Sequence, residues 1–253
     1  MKTKLHVPCS FSNSLIATHY SSIDIEAGSS SHYESYSHIG CDETGSTDFF
    51  GPLCIVSCYI DERDIDWLES LNLRDPKSYT DQETILIARE LKDRLIYSLL
   101  ILDNTHYNQM ANEGKNLANI KAQLYNQAIT NVMQKTQLNV TKKVITQFVS
   151  PKTYFNYLKS EVIVVKDVMF QPKEEIKFYG IICSGILSRY AYLQYYGNMC
   201  KSLKVVLPRG TGTNVEQVAY QLTQKFGDKM INKVAKMNFT NYKRLKVLLD
   251  KNA

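Results

Sequence analysis

Cysteine pairs, histidine constellations and long apolar runs are what this 253-residue chain does without. Its six cysteines (9, 41, 54, 58, 183 and 200) include no C-x-x-C pair and no Cys/His cluster at zinc spacing. Several sit inside apolar runs, so they read as reduced core cysteines of a cytoplasmic protein. The five histidines form neither a triad nor a metal spacing, and none is read as catalytic. No apolar stretch approaches the roughly 18 residues of a membrane span. Pro8, Ser10, Ser12 and Asn13 interrupt the N-terminus where the apolar region of a secretory signal would stand.

What is present suits one large globular domain, or one domain with a small appendage. Hydrophobic residues make up 44% of the chain and charged residues 22%, enough apolar material for a core without staples. The net charge of +5 is unevenly spread. From Lys201 to Ala253 eleven Lys/Arg face three acids, an excess of eight positive charges, so the preceding chain is net negative by three. A basic C-terminal third points to a polyanion, weighed against an ordinary solvated helix surface. Lys225, Lys229, Lys233 and Lys236 recur at helical spacing and could share one face toward phosphates.

Seven serines among residues 21–37 mark a linker, so residues 1–37 read as an N-terminal segment and 38–253 as the folded domain. Strands are expected at Ile39–Asp42, Leu53–Ile60, Ser98–Leu102, Lys143–Val149 and Val162–Phe170. Helices are expected at Asp64–Leu71, from the Thr80/Glu83 capping box onward, at Asn116–Thr136, after Pro151, at Ile181–Tyr196, Val215–Phe226 and Asp228–Met237. Strands come early and alternate with helices later, which argues for an α/β fold around a mixed sheet. The tyrosines at 154, 157, 190, 192, 195 and 196 lie on two of these helices and read as core or capping residues more than base-stacking platforms.

The most informative segment is Gly40-Cys41-Asp42-Glu43-Thr44-Gly45-Ser46-Thr47. Two adjacent carboxylates stand at a strand end directly before a turn of small residues. Carboxylate oxygens suit a hard divalent cation, and small residues beside them allow a sugar-phosphate backbone to approach closely. Alone, the pair is more often a solvated turn.

The rest of the chain shifts that balance. Asp48-Phe49-Phe50-Gly51-Pro52-Leu53, Arg74-Asp75-Pro76-Lys77, Asn116-Leu117 with Tyr125-Asn126-Gln127-Ala128-Ile129, Phe170-Gln171-Pro172-Lys173-Glu174-Glu175, Ser184-Gly185-Ile186-Leu187-Ser188-Arg189-Tyr190 and Leu207-Pro208-Arg209-Gly210 follow in order. Together they resemble the type 2 ribonucleases H, the HIII branch more than HII, from about Ile39 to Asn241. The resemblance implies a ribonuclease H-like fold with C-terminal helices. It also implies a monomeric endonuclease that uses Mg²⁺ or Mn²⁺ to hydrolyse the RNA strand of an RNA–DNA hybrid. It places Asp42, Glu43 and Glu175 as catalytic metal ligands, and Gly45, Ser46, Thr47, Lys77, Lys173 and Arg209 at the substrate.

The chain departs from that pattern in several places. Thr146 stands where the family has an aspartate at the end of its central strand, and a neutral hydroxyl cannot replace a carboxylate's charge. Asp103, Glu161, Asp167 or Glu174 are the acids that could compensate. Thr47 replaces the second glycine of the family's G-x-G turn, whose backbone reads the ribose 2′-hydroxyl. About 37 residues precede the nuclease-like region, too few for the substrate-binding domain of the HIII branch. Two readings stay open: a divergent nuclease with impaired catalysis, or a catalytically inactive nucleic-acid-binding protein of the same fold.

Overall fold

The computed structural model describes residues 33–251 apart from Asn139 and Glu174, so the reading of 1–32 as part of a linker segment lies outside the described residues. Five strands form one mixed sheet in the order β3-β2-β1-β4-β5: β1 (His38–Thr44), β2 (Leu53–Ile60), β3 (Ile96–Leu102), β4 (Lys143–Thr146) and β5 (Val168–Gln171). β1 pairs antiparallel with β2 and parallel with β4, which puts it at the centre. All eight residues of β2 are buried, as expected of a strand covered on both faces.

The helices among the described residues are α1 (Ile65–Ser70), α2 (Asp81–Arg94), α3 (Asn104–Asn112), α4 (Leu117–Thr136), α5 (Pro151–Tyr157), α6 (Tyr179–Leu203), α7 (Thr213–Phe226), α8 (Asp228–Val234) and α9 (Thr240–Lys251). α2 opens with the predicted capping box, Thr80 and Glu83 each accepting a hydrogen bond from the other's backbone amide. α4 covers one face of the sheet, packing Ile120, Leu124 and Ala128 with Ile39, Cys41 and Ile55. α6 covers the other, packing Ile182 and Ile186 with Val56, Cys58 and Ile60. α7, α8 and α9 build a third apolar cluster around Phe49 and Phe50.

Alternation along β1 therefore decides where each residue points. Ile39, Cys41 and Glu43 face α4, whereas Gly40 and Asp42 face α6. The approach of α6 is close: a Cβ on Gly40 would lie 2.1 Å from the Gly180 carbonyl carbon. His38 fixes the same crossing, its Nε2 accepting the Gly180 amide at 2.9 Å while Nδ1 donates to the Tyr36 carbonyl at 2.7 Å.

Two sequence expectations are corrected. The run from Val162 enters the sheet only at Val168, because residues 163–165 are tied to α4 instead. The Asn126 amide donates to the Ile163 carbonyl and accepts from the Val165 amide, taking the place of a strand partner. The four lysines of the C-terminal third do not share a solvent face, since Lys236 is fully buried. Its ammonium donates to the carbonyls of Asp48 and Gly51. Burial pushes its pKa down to about 8, partly opposed by the charge of Asp48. The five described cysteines are free, four of them buried.

Candidate active site

The end of β1 opens into a cleft of about 390 Å³. Its walls include Asp42, Glu43, the turn Gly45–Thr47, Lys77, Thr146 and Lys173, most of the residues singled out in the sequence. Three strand and loop endings bring them together: β1 supplies the acids, the 3₁₀ turn Pro76–Ser78 supplies Lys77, and the turn after β5 supplies Lys173. Asp75 holds the 3₁₀ turn by accepting the Lys77 amide at 2.9 Å. Arg189 of α6 holds it from below, donating to the carbonyls of Pro76 and Tyr79 and to Asp81.

The pKa values of the two carboxylates are shifted in opposite directions. Burial pushes the Asp42 pKa up to about 6, with the neighbouring charge of Glu43 adding to it and Lys173 opposing. Burial would raise Glu43 too, but the Lys121 ammonium overrides it and the net shift is downward. Lys121 Nζ lies 2.6 Å from Glu43 Oε1, with both side chains almost entirely enclosed. Lys173 Nζ lies 3.6 Å from the same oxygen and is more open to solvent. Removing one partner of a buried pair typically costs about 3–5 kcal/mol, because the other charge is left uncompensated. Glu43 Oε2 is buried with no hydrogen-bond partner.

Thr146 is 1% exposed, and the β1–β4 register sets it beside Asp42. Its hydroxyl donates weakly to the Cys41 carbonyl, at 3.5 Å, and helps hold Asp42 ionised. Glu175 is exposed and is not among the residues lining the cleft. Its amide closes a turn onto the Pro172 carbonyl, and Lys173 is the residue that this turn sends inward. Arg209 is engaged elsewhere, paired with Asp81 through both guanidinium nitrogens. Asp103 caps α3 and pairs with His106, Glu161 accepts from Gln123, and Asp167 pairs with Lys143, so none of these acids lines the cleft. Glu174 lies outside the described residues. Among the described residues no three His, Cys, Asp or Glu side chains group closely enough to hold a metal.

The turn has its own geometry. Gly45 has φ +96°, and a Cβ there would fall 2.2 Å from the Pro52 carbonyl oxygen. Thr47 is not in the left-handed region, so a threonine at this position is unstrained. Lys121 was missed in the sequence, although its signal was present: a charged residue on the apolar stripe of α4, between Leu117 and Leu124.

The donor set fits one divalent cation better than two. Mg²⁺ is commonly held by one or two carboxylates, with water and substrate phosphate completing its shell. Asp42 and the unpaired Oε2 of Glu43 supply that much, and Thr146 adds no charge.

Comparison with known proteins agrees with this architecture. The family model for Ribonuclease HII matches residues 39–242. Ribonuclease HIII of Bacillus cereus (strain AH187) is 34% identical over 205 residues, covering 80% of this chain and 66% of that protein. Ribonuclease HIII of Bacillus anthracis (strain CDC 684 / NRRL 3495) is 35% identical over the same length. The chain thus spans just under two thirds of the length of these relatives. The crystal structure of Bst-RNase HIII in complex with Mn²⁺ superposes with TM-score 0.81 at 26% identity, over 86% of this chain and 71% of that one. Aquifex aeolicus RNase H3 gives 0.67 at 25% identity, over 82% and 74%. On the family match, the relatives and the shared fold together, the chain belongs to the ribonuclease HII family of type 2 ribonucleases H, on its HIII branch.

Proposed function

We propose that this protein is a ribonuclease H-type endonuclease that cleaves the RNA strand of an RNA–DNA hybrid, with Mg²⁺ or Mn²⁺ held by Asp42 and Glu43. One observation carries the reading: the two acids share a cleft with a glycine-bearing turn and two lysines at the end of the central strand. A divalent cation bound there activates water and offsets charge on the leaving oxygen. The chain's own groups do the rest. Gly45 lets the backbone approach the sugar, while Lys77 and Lys173 face the phosphates that flank the scissile bond. Ionised Asp42 and Glu43 orient the hydrated cation. Glu175 keeps the family pattern in its favour, but its exposure assigns it a lesser part than the other two. The five free cysteines among the described residues support a protein of a reducing compartment such as the cytoplasm, and a monomer suffices for the chemistry.

The second reading, a hybrid-binding protein without catalysis, is favoured by the neutral Thr146 and by the two lysines that already offset Glu43. A labelled hybrid incubated with each metal separates the two. Metal-dependent cleavage that Asp42→Asn abolishes and Glu175→Gln only reduces supports the nuclease. Intact hybrid binding with no cleavage in either metal establishes the alternative.

A further inference from the structure

We propose that Lys121 is a positioning residue of the cleft, a fixed internal cation that restricts the Asp42–Glu43 centre to a single divalent ion. The inference rests on the metal-dependent reading above and deepens it.

Lys121 reaches Glu43 from the middle of α4, and its side chain is only 7% exposed. Its ammonium also lies 4.2 Å over the ring of Phe148, which packs at 5.1 Å against Tyr125. A carboxylate on one side and an aromatic face on the other leave it no route to water that keeps a partner. Lys173 is different: 36% exposed and on a turn, it can withdraw from Glu43 when another cation arrives. One oxygen of Glu43 is therefore engaged by Lys121, and the other is buried with no hydrogen-bond partner.

Charge leads to the same conclusion. Asp42 and Glu43 carry two negative charges, and Lys121 with Lys173 carries two positive ones. With Lys173 displaced, one divalent ion gives that set a net positive charge, and a second would enter against repulsion. Thr146 contributes no acid to change the balance. Lys121 thus supplies from the protein part of the positive charge that a second ion would bring.

The test is an Mn²⁺ titration of the full-length protein by calorimetry, with melting temperature read alongside. Wild type is expected to bind one Mn²⁺. Lys121→Met should melt lower without metal, bind Mn²⁺ ~10-fold or more tightly because a like charge beside the ion is gone, and gain more in melting temperature from Mn²⁺ than wild type does. Lys121→Arg, which keeps the charge, should bind as wild type, and Lys121→Met/Glu43→Gln should lose the Mn²⁺ gain. Two ions bound by wild type would overturn the role given to Lys121 and leave the nuclease reading standing. Unchanged Mn²⁺ affinity in a folded Lys121→Met protein would do the same. Failure to bind Mn²⁺ at all overturns both. Two ions counted on wild type overturn that role even where the methionine variant does not fold.

Discussion

Gly40 of β1 and Gly180 of α6 meet backbone to backbone, so that a Cβ on Gly180 would sit 2.6 Å from the Gly40 amide nitrogen. Two residues further along β1 is Asp42, and five residues further along α6 is Gly185, where a Cβ would stand 3.1 Å from Asp42 Oδ2. The contact therefore sets the height of the helix over the acid pair. Gly40→Ala or Gly180→Ala must push strand and helix apart, since the nearest atoms in each case are backbone. Either is expected to cost about 3 kcal/mol or more in urea denaturation. Wild-type stability in both variants would show that the two elements are not locked at this point.

His38 gives the same crossing a pH dependence. Because Nε2 accepts the Gly180 amide, the ring must be neutral with its proton on Nδ1. Burial accordingly lowers its pKa, with the Tyr36 carbonyl acting in opposition. A group whose folded pKa lies below its unfolded value adds stability above the unfolded pKa of about 6.5 and loses it as pH falls. Wild type should therefore lose stability from His38 as pH falls from neutral to below about 6.5. His38→Gln, which cannot titrate, should lose less over that interval. Equal losses in the two proteins would remove His38 as the cause.

Much of this was legible in the sequence, and the failures have physical causes. The capping box, the buried β2 and the apolar stripe of α4 are local signals, and each produced its element. The run from Val162 misled because apolar content does not distinguish strand pairing from a tether to Asn126. α3 and α9 went unseen; both carry a predominantly polar sequence that becomes helical against α8 and α7. At the site, Asp42 through Thr47 line one cleft because they are adjacent in sequence. Lys121 and Arg189 come from distant helices, and nothing short-range couples them to the acids. Arg209 looked free for substrate because its partner, Asp81, is 128 residues away.

That pair leads to a contrast between two arginines. Arg209 and Asp81 are both more than 40% exposed, so their ion pair should be worth under about 1 kcal/mol despite its bidentate geometry. Arg189 is 20% exposed and satisfies two backbone carbonyls of the segment bearing Lys77. Arg189→Ala should cost about 2 kcal/mol and weaken hybrid binding as Lys77 loses its support. Arg209→Ala should barely change the denaturation midpoint. A larger loss of hybrid affinity in Arg209→Ala than in Arg189→Ala would mean that Arg209 leaves Asp81 to bind substrate.

Thr146 offers the sharpest change to the acid centre. Asp42 already titrates near 6, so its ionisation costs the folded protein stability as pH rises from about 4 to 6. Asp42→Asn should thus stabilise the metal-free protein at neutral pH by about 1–3 kcal/mol. Thr146→Asp acts in the opposite sense. It sets a third carboxylate beside Asp42 at a position only 1% exposed, raising the repulsion that burial has already made expensive. The metal-free variant should melt below wild type, and Mn²⁺ should restore more stability to it than to wild type. Hybrid cleavage should rise at the same time, because the added charge supports the cation that Asp42 and Glu43 hold. A variant that melts lower, is not rescued by Mn²⁺ and cleaves no faster would show that the hydroxyl at 146 belongs to a site no longer built around an ion.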